Sequence, residues 1–482
     1  MTTLLTDQQM QQFIMDGYVV TKPDLPADFH RHVYEQTDYV WENEFNPGNN
    51  LPARIPDTFK PWYDPAVVGA LTSIVGPNYY MHPHRHCHYN PPGSPGQNLH
   101  KDGFSRRGHR TRWLLAFYYP QETTLEMGPT VVVPGSQYYN TLPSDGTERE
   151  LALTVEAGTV VITNYDIWHR GSANTSESKR YMNKFLFARI EEPTAPSWDS
   201  AQTEWEPGAD TATPALWRHL WNWHRGQENG ATHNGSADRT ASVEELVAAV
   251  VGDSEVESFN AAYTLGEIGE SGVPALIEAL EDGLGEVSLP ADGPLPARLS
   301  SYGRLASDSE TEAKRRNVTY ALSAVGAPAV PELIEAVSHA DWWVRAAAVN
   351  TLGEMGLAAS DAVPSLIAAL RHDSLIVQQQ AAQALGTASQ TGPAAVPALS
   401  EALQHDDAEV RRNATLALLR IGKHADEAVP ALQRVLDDED RYVRGKAVEV
   451  LYRLDTPAAR SILVDYLMST RWCPLTTKQS RY

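Results

Sequence analysis

In the second half of this 482-residue chain, Val330-Pro331, Val363-Pro364, Val396-Pro397 and Val429-Pro430 recur every 33 residues. A fixed period of that length commits a chain to an array of one stacked supersecondary unit. Each dipeptide opens a run of the PALIEAL kind, as Val273-Pro274 also does, and proline suits the first turn of a helix, where its missing N–H would have had no partner. Twenty-one residues after each of the four prolines comes Leu352, Leu385, Leu418 or Leu451, set in Ala-rich segments such as VRAAAVNTLGEMG. Each unit is therefore expected to be a helical hairpin that cannot bury its apolar face alone and stacks into a solenoid. The first proline interval is 57 residues. An insertion at 283–309, rich in Pro, Gly and Ser, accounts for the excess and is expected to be an exposed loop.

The period alone also fits ankyrin or tetratricopeptide arrays, but their TPLH and Trp/Tyr/Pro signatures are missing. V-P-x-L-I-x-A-L followed by V-R-x-x-A resembles short HEAT-like repeats over residues 243–466. This resemblance speaks to fold and says little of function.

A chain this long exceeds the ~250–300 residues at which single cores stop growing, and composition changes sharply near residue 226. Upstream it is rich in aromatics, His and Pro, with β-prone runs at Arg112–Tyr118, Thr130–Val133, Thr159–Thr163 and Met182–Ile190. Short strands between turn signals suggest a sandwich or barrel. The expected organisation is multidomain: 1–225 a β domain ending in a Trp-rich helix, 226–242 a polar Gly/Asn/Ser linker, 243–470 an all-α solenoid, and 471–482 a tail. In the Trp-rich helix Trp217, Leu220, Trp221 and His224 fall on one stripe, expected to be buried against the β domain or the first repeat.

The formal charge of -22 opposes general binding to nucleic acid or anionic membranes. Cys87 and Cys473 are the only cysteines, far apart and without metal spacing, so a disulfide framework is not expected and a reducing compartment is. Residues 1–16 lack a basic stretch followed by an apolar one, and no window approaches a membrane span. The expectation is a cytoplasmic protein.

Two segments carry the chemistry. GQNLHKDGF supplies His100 and Asp102, and AGTVVITNYDIWHRGSANTSESKR supplies His169 and Arg180. Two imidazoles and a carboxylate can occupy one face of an Fe(II) ion and leave positions for a bidentate 2-oxo acid and O2. His-x-Asp on an extended strand directs both side chains to one face, and a distant strand would deliver the second His. A dicarboxylate cosubstrate also needs a cation at its far end, which the planar fork of Arg180 offers. Eleven residues after His169, Arg180 is expected on the next strand of a hairpin, facing the same cavity.

LTDQQMQQFIMDGYVV at 5–20, HKD at 100–102, MGPTVVVPGS at 127–136, AGTVVITNYDIWHRGSAN at 157–174 and Arg180 follow one another in an order that resembles the phytanoyl-CoA dioxygenase family. The resemblance implies a double-stranded β-helix, or jelly roll, with His100, Asp102 and His169 as iron ligands and Arg180 as the 2-oxoglutarate anchor. The implied cofactors are Fe(II) and 2-oxoglutarate with O2 as cosubstrate, and the implied reaction is oxidative decarboxylation to succinate and CO2 coupled to attack on an unactivated C–H. Asp102 favours hydroxylation over halogenation, since related halogenases carry a small residue there. The chain departs from the family pattern at Gln137, where His often follows the PGS motif, and at Arg170, where a small residue is common after the distal His. Arg170 meets either substrate or a surface carboxylate.

Weaker candidates surround these. His82, His84, His86 and His88 alternate in MHPHRHCHYN, so on a strand they share one face as a cavity wall, a zinc site or plain packing; His86 and His88 are the candidates for substrate contact. Trp113 is a candidate to face the cosubstrate, as aromatics following the HxD strand do in similar enzymes, with core packing as the alternative. The basic cluster Arg106, Arg107, His109, Arg110 and Arg112 either binds an anionic substrate, with Arg106 the candidate contact, or pairs with surplus acidic residues. The expected function is a dioxygenase hydroxylating a small organic molecule, its solenoid serving as scaffold, lid or self-association element. The alternative is a protein-directed hydroxylase, or an interaction scaffold, whose repeats hold a protein partner.

Overall fold

The computed structural model describes residues 3–44, 46–102, 108–142, 146–205, 213–227, 241–281, 310–372 and 374–469. The insertion at 283–309, the tail at 471–482, Cys473, Arg106, Arg107 and most of the linker lie outside them.

The first part of the chain folds as two antiparallel sheets in the jelly-roll manner. Strands β1 (Tyr18–Thr21), β2 (Tyr80–Asn90), β3 (Trp113–Tyr118), β6 (Val160–Asn164) and β8 (Arg180–Ala188) form the larger sheet in the order β1-β6-β3-β8-β2. Strands β4 (Thr130–Val132), β5 (Leu151–Ala152) and β7 (His169–Gly171) form the smaller, in the order β5-β4-β7. The β-prone runs read from the sequence fall on β3, β4, β6 and β8 with ends displaced by one or two residues.

Helices cover the outer face of the larger sheet. Thr6 and Gln9 close a capping box on the first of these, Asp7–Asp16, and Gly17 ends it at φ +79°. The Gln137 side chain then donates to the carbonyls of Ile14 and Met15. A Cβ on Gly17 would stand 2.5 Å from Gln137 Oε1. The departure from the family pattern at Gln137 thus has a local role, satisfying carbonyls that a helix end leaves open.

The solenoid is built of helix pairs, a short helix opening at each Val-Pro and a longer one after it: Val330–Ala336 and Trp342–Met355, Val363–Ala369 and Leu375–Ala388, Val396–Ala402 and Ala408–Ile421, Val429–Arg434 and Arg441–Leu454. Asp341, Asp407 and Asp440 cap three of the long helices through their carboxylates, and Leu352, Leu385, Leu418 and Leu451 are fully buried. Close stacking depends on glycine where the long helices meet, since a Cβ on Gly353 would lie 2.8 Å from Cβ of Ala384 in the next helix. Gly353→Val is expected to lower stability by about 1–3 kcal/mol through overpacking, read as a shifted urea midpoint at unchanged slope.

The solenoid is seated on the β domain along its row of long helices, and one apolar cluster runs through both. Trp217, Leu220, Trp221 and His224 are buried on Pro214–His224 as expected. That helix meets both sides, with Trp217 edge-on to Tyr138 and Arg218 paired to Glu267 of the repeat helix Glu255–Ile268 at 2.8 Å.

The basic cluster resolves toward pairing. Arg112 is buried and binds Glu192 at 2.7 Å and Glu354 of the solenoid at 2.6 Å. Arg110 donates to the Glu354 carbonyl, and His109 lies 2.7 Å from the Tyr263 hydroxyl among Phe259 and Tyr320. Three residues of the cluster, His109, Arg110 and Arg112, are the clasp between the two parts of the chain. Among the described residues no helix is long and apolar enough to cross a membrane.

Candidate active site

The triad assembles from backbone pairing. His100 and His169 exchange two main-chain hydrogen bonds of 2.9 Å, an isolated bridge that brings their rings to 4.6 Å between centroids. Beyond His100 the chain bends, so His-x-Asp does not lie on a regular strand as the spacing suggests. The bend still carries the carboxylate inward: His169 Nε2 is 3.6 Å and His100 Nε2 3.9 Å from the two oxygens of Asp102. One ligand atom from each of the three residues falls within 4.8 Å of the others.

Their hydrogen bonds fix which atoms are free. Nδ1 of His100 is 2.9 Å from the Asn98 carbonyl, and Nδ1 of His169 is 3.0 Å from that of Ile167. A carbonyl only accepts, so each Nδ1 carries the proton and each Nε2 lone pair faces the site, as in metal-ligating histidines. Lys184 donates to Asp102 at 2.5 Å. Burial raises the pKa of Asp102, but the adjacent His169 imidazole and the Lys184 charge outweigh that and hold the carboxyl well below the usual range. The carboxylate therefore stays ionised, as a metal ligand must. Two imidazoles and one carboxylate fit iron(II) with an open coordination face.

Arg180 opens β8, one strand after His169, but β7 and β8 belong to different sheets and do not form a hairpin. The strands face each other across the sandwich, so both residues still line one cavity of about 140 Å³. Arg180 is buried, its Nε and Nη2 donating to the Gly128 carbonyl at 3.2 and 2.8 Å. Its Nη1 is buried without a partner. An orphaned guanidinium N–H costs free energy unless something accepts from it, and a carboxylate is the natural acceptor.

A second cavity of about 560 Å³ adjoins the first, and His100, Asp102 and Lys184 line both. Its size is within the roughly 300–1,000 Å³ usual for small-molecule sites. One wall is β2 and β8; the other consists of the long solenoid helices, including Gln380, Arg412, Arg420, Tyr442 and Lys446.

β2 distributes its histidines along both cavities. His82, His84 and His86 border the larger one and His88 the smaller, in spite of a bulge between His82 and Arg85. Desolvation, with Lys184 next, pushes His86 down to about 3 and His84 to about 4, so this wall is neutral at pH 7. Trp113 lines the larger cavity, edge-on to His82, and not the small one that holds Arg180. Arg170 borders the small cavity with its guanidinium held by Glu150 at 2.5 Å, the carboxylate pairing left open by the sequence.

Lys184 was not singled out from the sequence, although strand parity with Arg180 places it on the same face. The solenoid residues of the cavity carried no sequence signal.

The family model for phytanoyl-CoA dioxygenase matches residues 4–182. Those residues form a phytanoyl-CoA dioxygenase-family domain. HEAT repeats match at 304–386, 363–451 and 396–472, and a PBS lyase HEAT-like repeat at 259–282. No curated protein matches the chain significantly. Among solved structures it is similar to EctD from S. alaskensis with bound Fe, at 17% identity over 39% of this chain and 78% of that one, TM-score 0.34. It is also similar to HygX from Streptomyces hygroscopicus with nickel and 2-oxoglutarate bound, at 16% identity over 42% and 92%, TM-score 0.33. A third is SnoN, a non-heme alpha-ketoglutarate dependent epimerase from nogalamycin biosynthesis, at 12% identity over 38% and 83%, TM-score 0.33.

Proposed function

We propose that the chain is an Fe(II)- and 2-oxoglutarate-dependent dioxygenase that hydroxylates a small organic molecule in the cavity between its β domain and its solenoid. The observation that carries this is the convergence of His100, Asp102 and His169 beside the unpartnered Nη1 of Arg180. His100 and His169 would hold the metal through Nε2 and Asp102 through a carboxylate oxygen, while Arg180 would accept the distal carboxylate of 2-oxoglutarate. With iron(II) bound, O2 would be the oxidant: one oxygen atom would enter the succinate formed with CO2 from 2-oxoglutarate, and the other the substrate. The protein's own part is positional. Carbonyls of Asn98 and Ile167 fix the imidazole tautomers, Lys184 keeps Asp102 ionised and oriented, and the paired cavities set cosubstrate and substrate on either side of the triad.

A small substrate is favoured over a protein partner by the seating of the solenoid. Its long helices face the chain's own β domain, which takes up the surface an extended partner would need. The test is the visible spectrum of the full chain reconstituted anaerobically with Fe(II) and 2-oxoglutarate. Bidentate chelation gives a weak metal-to-ligand charge-transfer band, expected in wild type and absent in His100→Ala. A folded, metal-loaded wild type without the band rules the proposal out.

A further inference from the structure

The solenoid gives the larger cavity an unusual electrostatic character. The chain as a whole carries -22, yet the charged residues lining this cavity are seven lysines and arginines against three carboxylates. Among the described residues three of the seven are ion-paired: Lys184 by Asp102, Arg112 by Glu192 and Glu354, Arg412 by Glu409 and Asp440; Lys101 and Arg110 donate to the carbonyls of Gln137 and Glu354.

The remaining two, both on the solenoid, form no ion pair among the described residues. Arg420, near the end of Ala408–Ile421, is 5% exposed and has no hydrogen-bond or ion-pair partner among the described residues. Lys446, in Arg441–Leu454, is also 5% exposed, and its one protein hydrogen bond is to the Arg412 carbonyl at 3.2 Å. Burial, opposed by Glu409 and Asp440 and aided by the repulsion of Arg412, brings Lys446 down to about 8; burial and the nearby Arg112, opposed by Glu192 and Glu354, bring Arg420 down to about 10. Buried charges without a direct ion pair oppose folding even where carboxylates lie nearby, and both groups border the same cavity. The repeats as a class require neither charge, since the equivalent position to Arg420 two repeats earlier is Glu354 and in the repeat between them Thr387.

We propose that Arg420 and Lys446 form an anion subsite through which the solenoid reads the substrate, a small organic acid or phosphate ester whose anionic group lies against the repeats while its reacting carbon lies near the His100–Asp102–His169 triad. The location of the reacting carbon rests on the oxygenase reading above; the anion subsite does not. The repeats are then part of the substrate-binding wall and not a detached recognition module.

The test uses the full-length, metal-free chain and inorganic phosphate as probe, titrated by calorimetry into wild type, Arg420→Met, Lys446→Met and Arg180→Gln. Expected is saturable binding in wild type, weakened at least tenfold in each methionine variant and little changed in Arg180→Gln, which reports on the cosubstrate cavity. The same samples are melted without phosphate. Because methionine keeps the aliphatic stem and removes a buried charge without a direct ion pair, both variants should melt at or above the wild-type temperature. Absence of saturable binding in wild type, binding that survives both substitutions, or variants that melt clearly lower would each overturn the subsite. No iron or 2-oxoglutarate is present, so loss of the charge-transfer band and loss of phosphate binding are separate results.

Discussion

Replacing Arg180 with leucine should raise the 2-oxoglutarate concentration for half-saturation at least about a hundredfold. Nε and Nη2 are occupied by the Gly128 carbonyl and Nη1 is left without an acceptor, so the guanidinium is held in one orientation before a ligand arrives. A carboxylate entering the small cavity would gain charge-assisted hydrogen bonds of about 1.5–3 kcal/mol each, and two such bonds correspond to about two orders of magnitude or more in affinity. Arg180→Lys keeps the charge without the fork and should fall between wild type and Arg180→Leu. Succinate formation at varied 2-oxoglutarate measures this, with circular dichroism to verify the fold. The maximal rate should change much less than half-saturation, because Arg180 borders the cosubstrate cavity and not the larger one. Unaltered half-saturation in folded Arg180→Leu would mean that the cosubstrate is anchored elsewhere.

The fold was legible wherever its signal was local or periodic. The Val-Pro spacing located the helix pairs because proline and apolar periodicity act within a few turns. The alternation of β2 put its histidines on one face, with cavity wall, zinc site and packing all open, and they line the cavities because the irregularity between His82 and Arg85 shifts the register by two residues and so keeps parity. His100 and Asp102, two residues apart, and His169 and Arg180, eleven apart, were legible as two short motifs, and the fold brings all four onto one cavity across the 67-residue interval from Asp102 to His169. The supporting conformations were not legible. Asp102 sits on a bend and β7 pairs with β4 in place of β8, details set by packing between two sheets and not by the residues at hand.

What no local pattern could show is the seating of one part of the chain on the other. His109, Arg110 and Arg112 read as an anion site or, more commonly for such a cluster, as pairing residues, and their partners Tyr263 and Glu354 stand over 150 and 240 residues away. Arg420 and Lys446 look like ordinary surface cations on amphipathic helices until that docking encloses them. Lys184 is the residue that closer attention to parity would have found, standing four places after Arg180 on a strand whose alternate residues face the metal ligands.

The same docking predicts that residues 1–227, produced without the repeats, will not yield a soluble monomer with a cooperative melting transition. Removing the solenoid would strip Glu354 from the buried Arg112, leaving it Glu192 alone, and would take the Tyr263 hydroxyl from His109, whose ring sits fully enclosed against Phe259 and Tyr320. Tyr139, stacked on Phe259, and the rest of the shared apolar cluster would be exposed as well, and a contiguous apolar patch of that kind promotes aggregation. Size exclusion and calorimetry of the fragment measure this. A monodisperse fragment that melts cooperatively and retains the charge-transfer band would mean that the repeats are a separable module and that the larger cavity owes its shape to the β domain. An aggregating fragment beside a well-behaved full chain would mean that solenoid and oxygenase share one folding unit, in which the repeats cannot be exchanged without remaking the substrate wall.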